Sequence, residues 1–127
     1  MKNVFLNRDA LLQRDVLKIE KVELTRGFVY VREMTGKEKD AWETSLMKRK
    51  PSGNKTARGD FEIDLDGFRA KLAVVTVCDE NGDLIFKAED VKTLNAAMSA
   101  VNMDKIVSVA QRLNAISEDD KEEILKN

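Results

Sequence analysis

The stretch from Asp66 to Val91, D-G-F-R-A-K-L-A-V-V-T-V-C-D-E-N-G-D-L-I-F-K-A-E-D-V, is the most apolar part of the chain. Surface of that kind is driven out of water, so the other elements must pack around it. Phe68, Leu72 and Val75 recur at i, i+4 and i+7, and Ala73, Val74 and Val77 widen the stripe, as in a helix buried on most of its circumference. Leu72 to Val77 is also β-branched and short enough for a strand, and with Asp79-Glu80-Asn81-Gly82-Asp83 as a turn and Leu84-Ile85-Phe86 following, a hairpin competes. Phe68-Arg69-Ala70-Lys71 extends the helical spacing, which favours helix, turn, short strand.

At 127 residues and 43% hydrophobic, the chain can build one self-sufficient core, and a single domain over 1–127 is expected. Twenty-two basic residues against 23 acidic ones leave a formal charge of -1, which gives no overall electrostatic argument for nucleic acid or an anionic membrane. Cys78 is the only cysteine, so no intrachain disulfide can form, and its apolar neighbours favour a buried thiol. Met1 to Leu6 is too short for a signal-peptide core, and no later run approaches the ~20 apolar residues of a membrane span. The expected location is the cytoplasm.

Taken in order, Asn7 to Gln13 reads as a short helix capped by Asn7. Residues 16–24 and 28–33 read as a hairpin around Thr25-Arg26-Gly27, with a bulge near Glu20-Lys21 where the alternation slips. Thr35-Gly36-Lys37-Glu38 is a capping box opening a helix to about Lys48, with Trp42 and Leu46 on one face and Pro51 beyond its end. Lys48 to Gly59 carries Lys48, Arg49, Lys50, Lys55 and Arg58 without an acid, and residues 48–60 are expected to form a mobile loop. Phe61 to Leu65 alternates as a short strand or a lead-in. Val91, Leu94, Met98 and Val101 mark one helix, Asn102-Met103-Asp104 a break, and Ile106, Val109, Ala110 and Leu113 the next helix, before a charged end from Ser117. Strands first and helices last give an α+β class: a small N-terminal β-hairpin or sheet packed on a mainly helical C-terminal part.

Most chemical motifs fail on their spacing. Reading Asp79-x-Asn81-Gly82 as a calcium loop puts Val77 and Ala88 where carboxylates are needed. Gly53-Asn54-Lys55-Thr56 lacks the Gly-Lys pair of a phosphate loop. The absence of histidine removes the commonest general base and metal ligand, and with them Ser-His and Cys-His catalysis. No catalytic residue, cofactor or metal is therefore expected, although a carboxylate pair could still support an enzyme. Tyr30, Trp42 and the methionines at 34, 47, 98 and 103 are chiefly core candidates, while the group Met98, Val101, Met103 and Ile106 could turn partly toward a partner.

The combination of V-R-E-M-T-G-K-E at 31–38, a basic loop, the run from Arg69 to Leu94, and L-N and K-N at 113–114 and 126–127 resembles the tail assembly chaperones of long-tailed phages and prophages. The resemblance implies a non-enzymatic protein of virion assembly in the bacterial cytoplasm. It would bind the tape-measure protein, keep that protein soluble and help bring tail-tube subunits to it. A longer frameshifted form is also implied, with a slippery run encoding Leu125-Lys126-Asn127. Leu94, Met98, Val101 and Ile106 are the partner-binding candidates, with Lys48, Arg49, Lys50, Lys55 and Arg58 as an accessory basic loop; each of the first four also fits a core position. Self-association stays open and no membrane role is expected. The competing reading is a small nucleic-acid-associated or regulatory protein of a mobile element that uses the Lys48 to Arg58 loop.

Overall fold

Strands β1 (Ile19–Leu24) and β2 (Gly27–Arg32) form an antiparallel hairpin whose two-residue turn is Thr25-Arg26. The computed structural model describes residues 4–49, 61–63 and 66–116. Pairing runs without interruption from Ile19↔Arg32 to Leu24↔Gly27, so the expected bulge near Glu20-Lys21 is absent. The slip in alternation has a simpler cause. Glu20, Val22 and Leu24 share the inward face, where Glu20 pairs with Arg112 and Val22 is buried, while Ile19 lies on the other face and is partly exposed.

A single-turn helix, α1 (Arg8–Leu11), precedes the hairpin, with the Asn7 side chain accepting from the Ala10 amide as its pattern predicts. After the hairpin comes α2 (Gly36–Ser45), opened by the expected box: Thr35 Oγ1 accepts from the Glu38 amide and Glu38 Oε1 from the Thr35 amide. This helix stops short of Lys48 because β3 (Met47–Arg49) pairs with β4 (Phe61–Ile63). The Lys71 ammonium donates to the Ser45 carbonyl at 2.9 Å, satisfying one of the acceptors that a helix end leaves open. The expected loop at 48–60 is corrected at its start, where Lys48 and Arg49 belong to β3; residues 50–60 lie outside the described residues, as does the charged end from Ser117 onward.

The apolar centre resolves into α3 (Phe68–Val74) followed by β5 (Val77–Cys78), which pairs with β2 to complete a three-stranded antiparallel sheet in the order β1-β2-β5. Helix and strand thus divide the stretch that both readings claimed. Gly67, in the left-handed region at φ 71°, turns the chain into α3. Thr76 is fully buried in the two-residue link, and its hydroxyl donates to the Leu72 carbonyl at 2.7 Å. The strand expected at Leu84-Ile85-Phe86 reduces to a single bridge, Cys78↔Leu84.

A 3-10 turn (Ala88–Asp90) leads into α4 (Val91–Ala97), and α5 (Ala100–Leu113) follows. The helix break falls at Met98-Ser99, not at Asn102-Met103-Asp104. Met98 is extended and Ser99 caps α5, its hydroxyl accepting from the Asn102 amide at 3.2 Å; the local cap outweighs the polar signal three residues later. Trp42, Leu46, Leu72, Ile106, Val31 and Val77 are the largest fully buried apolar side chains, and Trp42 meets Phe68 edge-on with ring centroids 5.6 Å apart. The architecture is α+β, with the sheet at the N-terminal side and most helices in the C-terminal part.

Candidate functional site

The Ser99 cap fixes where α5 begins and so places Asn102 beside the hairpin turn. The Asn102 Oδ1 accepts from the Thr25 amide at 3.3 Å and from the Thr25 hydroxyl at 3.1 Å. This polar joint holds the tip of the hairpin over the junction of α4 and α5. Between them lies a cleft of about 770 Å³.

The hairpin supplies Leu24, Thr25, Arg26, Gly27, Phe28 and Val29 to its walls, and the helical junction supplies Leu94, Ala97, Met98, Ser99 and Asn102. Leu24, Val29, Leu94 and Met98 pack on the core from beneath, while Phe28 is half exposed at the rim with its ring edge-on to Tyr30 and the Lys21 ammonium 4.3 Å from its centroid. Arg26 is the one ionisable lining residue. Such a surface can cover apolar groups of a partner chain. It brings together no nucleophile, base and acid.

The four candidates from the sequence separate. Leu94 and Met98 line the cleft together. Val101 stands on α5 outside the lining and is 64% exposed, whereas Ile106, 1% exposed, is in the core. Of the basic residues, Lys48 and Arg49 lie on β3, and Lys50, Lys55 and Arg58 fall outside the described residues. Pattern reading missed Leu24, Phe28, Val29, Ala97 and the Thr25-Asn102 joint. Phe28, the aromatic residue just past the turn, was the nearest signal, but nothing local tells which helix a hairpin tip will meet.

Two titratable groups outside the cleft are shifted by their surroundings. The Arg32 hydrogen bond holds the Glu38 carboxyl below its ordinary range, against the opposing effect of burial and with help from the Thr35 amide. Burial pushes the Cys78 thiol up, away from reactivity. Asp79 Oδ1 accepts from the Asn81 and Asp83 amides at 2.8 and 3.0 Å, and Gly82 adopts φ 86°, so the calcium-like motif is a turn. Among the described residues no group of three or more His, Cys, Asp or Glu side chains is placed to hold a metal, and no helix is long and apolar enough to cross a membrane.

No protein-family model and no curated protein sequence matches the chain. Among solved structures it is similar to the tail assembly chaperone of bacteriophage HK97, with 12% sequence identity and a TM-score of 0.57 over 87% of this chain and 94% of that one. At that identity the likeness establishes a shared fold.

Proposed function

We propose that this protein is a tail assembly chaperone of a long-tailed phage or prophage, acting by reversible cover of apolar surface and not by catalysis. The observation that carries the reading is the fold shared with the HK97 chaperone over nearly the whole length of both chains. The client is the tape-measure protein. Apolar residues of its helices rest against the α4–α5 wall of the cleft, at Leu94 and Met98, with exposed Val101 extending the contact along α5. Basic residues Lys48, Arg49, Lys50, Lys55 and Arg58 form an accessory contact. Tail-tube subunits then replace the chaperone as they polymerise, a step that requires only that they cover the same client surface more tightly.

Co-expression with the tape-measure protein of the same genome tests the reading. The client should stay soluble and co-purify with the chain, and both effects should fall when Ala97→Glu and Val101→Asp are combined. These two positions are exposed, so circular dichroism should show an unchanged fold. A folded wild-type chain that neither solubilises nor binds the client would overturn the proposal.

A further inference from the structure

The hairpin carries basic side chains at Lys21, Arg26 and Arg32, and the first and last are engaged. Lys21 pairs with Glu23 at 3.4 Å and lies over the Phe28 ring, and Arg32 pairs with Glu38 at 2.8 Å. The acids of the elements that build the cleft are engaged as well: Glu20 of β1 with Arg112, and Asp104 of α5 with Arg69. Neither β2 nor α4 contains an acid. Arg26, at the hairpin tip, therefore has no acidic partner among the described residues, and it is the only charged group lining the cleft.

The hydrogen-bonding capacity of the cleft is skewed in the same sense. Asn102 Oδ1 is taken by both Thr25 donors, which leaves the Asn102 Nδ2 amide with no partner among the described residues. Ser99 Oγ already accepts from the Asn102 amide. What remains is chiefly donor: the Asn102 amide and the five N–H groups of the Arg26 fork. These donors stand beside an apolar wall of Leu24, Val29, Leu94 and Met98. The Arg26 side chain is exposed, but its backbone is fixed next to Thr25, which the joint ties to α5. A positive fork above apolar surface suits a carboxylate on an apolar carrier, since covering the carrier also excludes water from the ion pair.

We infer that Arg26 selects the segment that docks in this cleft, by pairing with the side-chain carboxylate of an Asp or Glu on an amphipathic helix of the client. Aliphatic residues three or four positions from that acid rest against Leu94 and Met98. Apolar contact alone lets a helix slide along a groove, and the single charge pair sets its register. The inference rests on the chaperone reading and deepens it: the client is recognised by an acid at helical spacing from its apolar residues, not by apolar surface alone.

The test titrates full-length protein with labelled overlapping peptides of the tape-measure protein from the same genome, read by fluorescence anisotropy. Ala97→Trp, which fills the cleft from an exposed lining position without changing its charge, identifies the peptides that bind there. In the tightest of these, neutralising one Asp or Glu should weaken binding about threefold to tenfold, and Arg26→Gln should cost the same at low ionic strength. Combining the two changes should add little, and the difference should shrink at high salt. Arg26→Glu should lose the native peptide and regain binding when the peptide acid becomes Lys. Circular dichroism should be unchanged in each variant, since Arg26 and Ala97 are both exposed. Cleft-binding peptides that lack an acid, losses that simply add, or a charge swap that fails to restore binding would each overturn the inference while leaving the chaperone reading in place. A wild type that binds neither the peptides nor the whole client would remove both.

Discussion

The Arg32 guanidinium holds the Glu38 carboxylate in two parallel hydrogen bonds, Nη1 to Oε1 at 2.9 Å and Nη2 to Oε2 at 2.8 Å. Arg32 ends β2 and is almost fully buried, while Glu38 belongs to the capping box of α2. One ion pair thus fastens the sheet to the first long helix. The same Glu38 Oε1 also accepts from the Thr35 amide, so the carboxylate serves both contacts at once.

Glu38→Gln keeps an acceptor for Thr35 and removes the charge opposite Arg32, and it should cost about 2–3 kcal/mol at neutral pH. Glu38 has a depressed folded pKa, so its contribution is fully present above the ordinary carboxylate pKa and is lost as pH falls through the folded value. Urea unfolding midpoints measured from neutral pH into the acid range should therefore converge for wild type and variant. A gap that stays constant at acid pH would mean that the pair is not what the substitution disturbs.

The glycines give a paired prediction of opposite sign. Gly82 has φ 86°, and a Cβ there would lie 3.2 Å from Ile19 Cδ1. Ile19 is partly exposed and can yield, so the left-handed backbone dominates and Gly82→Ala should destabilise by about 1–2 kcal/mol. Gly36 opens α2 with nothing within 4 Å of its would-be Cβ, and Gly36→Ala should stabilise by about 0.5–1 kcal/mol. Thermal denaturation of the two variants should move the midpoint in opposite directions.

What could be read from sequence follows the range of the interaction. Thr35 and Glu38 declare their helix start three residues apart, and Asn7 its own, because a cap is closed by neighbours. Leu72 to Val77 carried two valid local signals, and the division at Val75-Thr76 was decided by β2, which recruits Val77 and Cys78 from far along the chain. The cleft depends on Thr25 meeting Asn102, 77 residues away, and no local pattern encodes that pairing. Val101 and Ile106 both sit on apolar helical spacing, so the sequence offers them as equal candidates. The true start of α5 at Ser99 rotates one into solvent and the other into the core.

Asn114 closes α5 against the sheet. Its Oδ1 accepts from the Met34 amide at 2.6 Å, and its Nδ2 donates to the Ala110 carbonyl at 2.8 Å. Asn114→Ala strands a half-buried amide and should cost about 2 kcal/mol. Hydrogen exchange should show the loss locally, with the Met34 amide and the last turn of α5 exchanging faster while α3 is little changed; uniform acceleration across the chain would instead mean that the residue acts only through global stability.

The contrast between Val101 and Ile106 gives the sharpest check on which candidates are available to a partner. Ile106→Ala removes a side chain from a site that is 1% exposed, and it should cost about 2–4 kcal/mol through lost transfer energy and the cavity left behind. Val101 is 64% exposed, so Val101→Ala should change stability by under about 0.5 kcal/mol. If both lie on the client surface, the two substitutions should weaken client binding alike once folded fractions are matched. The burial predicts otherwise: Val101→Ala should weaken binding with unchanged stability, and Ile106→Ala should affect binding only in proportion to unfolding. Chemical denaturation alongside pull-down at matched folded concentration separates the cases, and an Ile106→Ala chain that is fully folded yet unable to bind would place that residue at the contact after all.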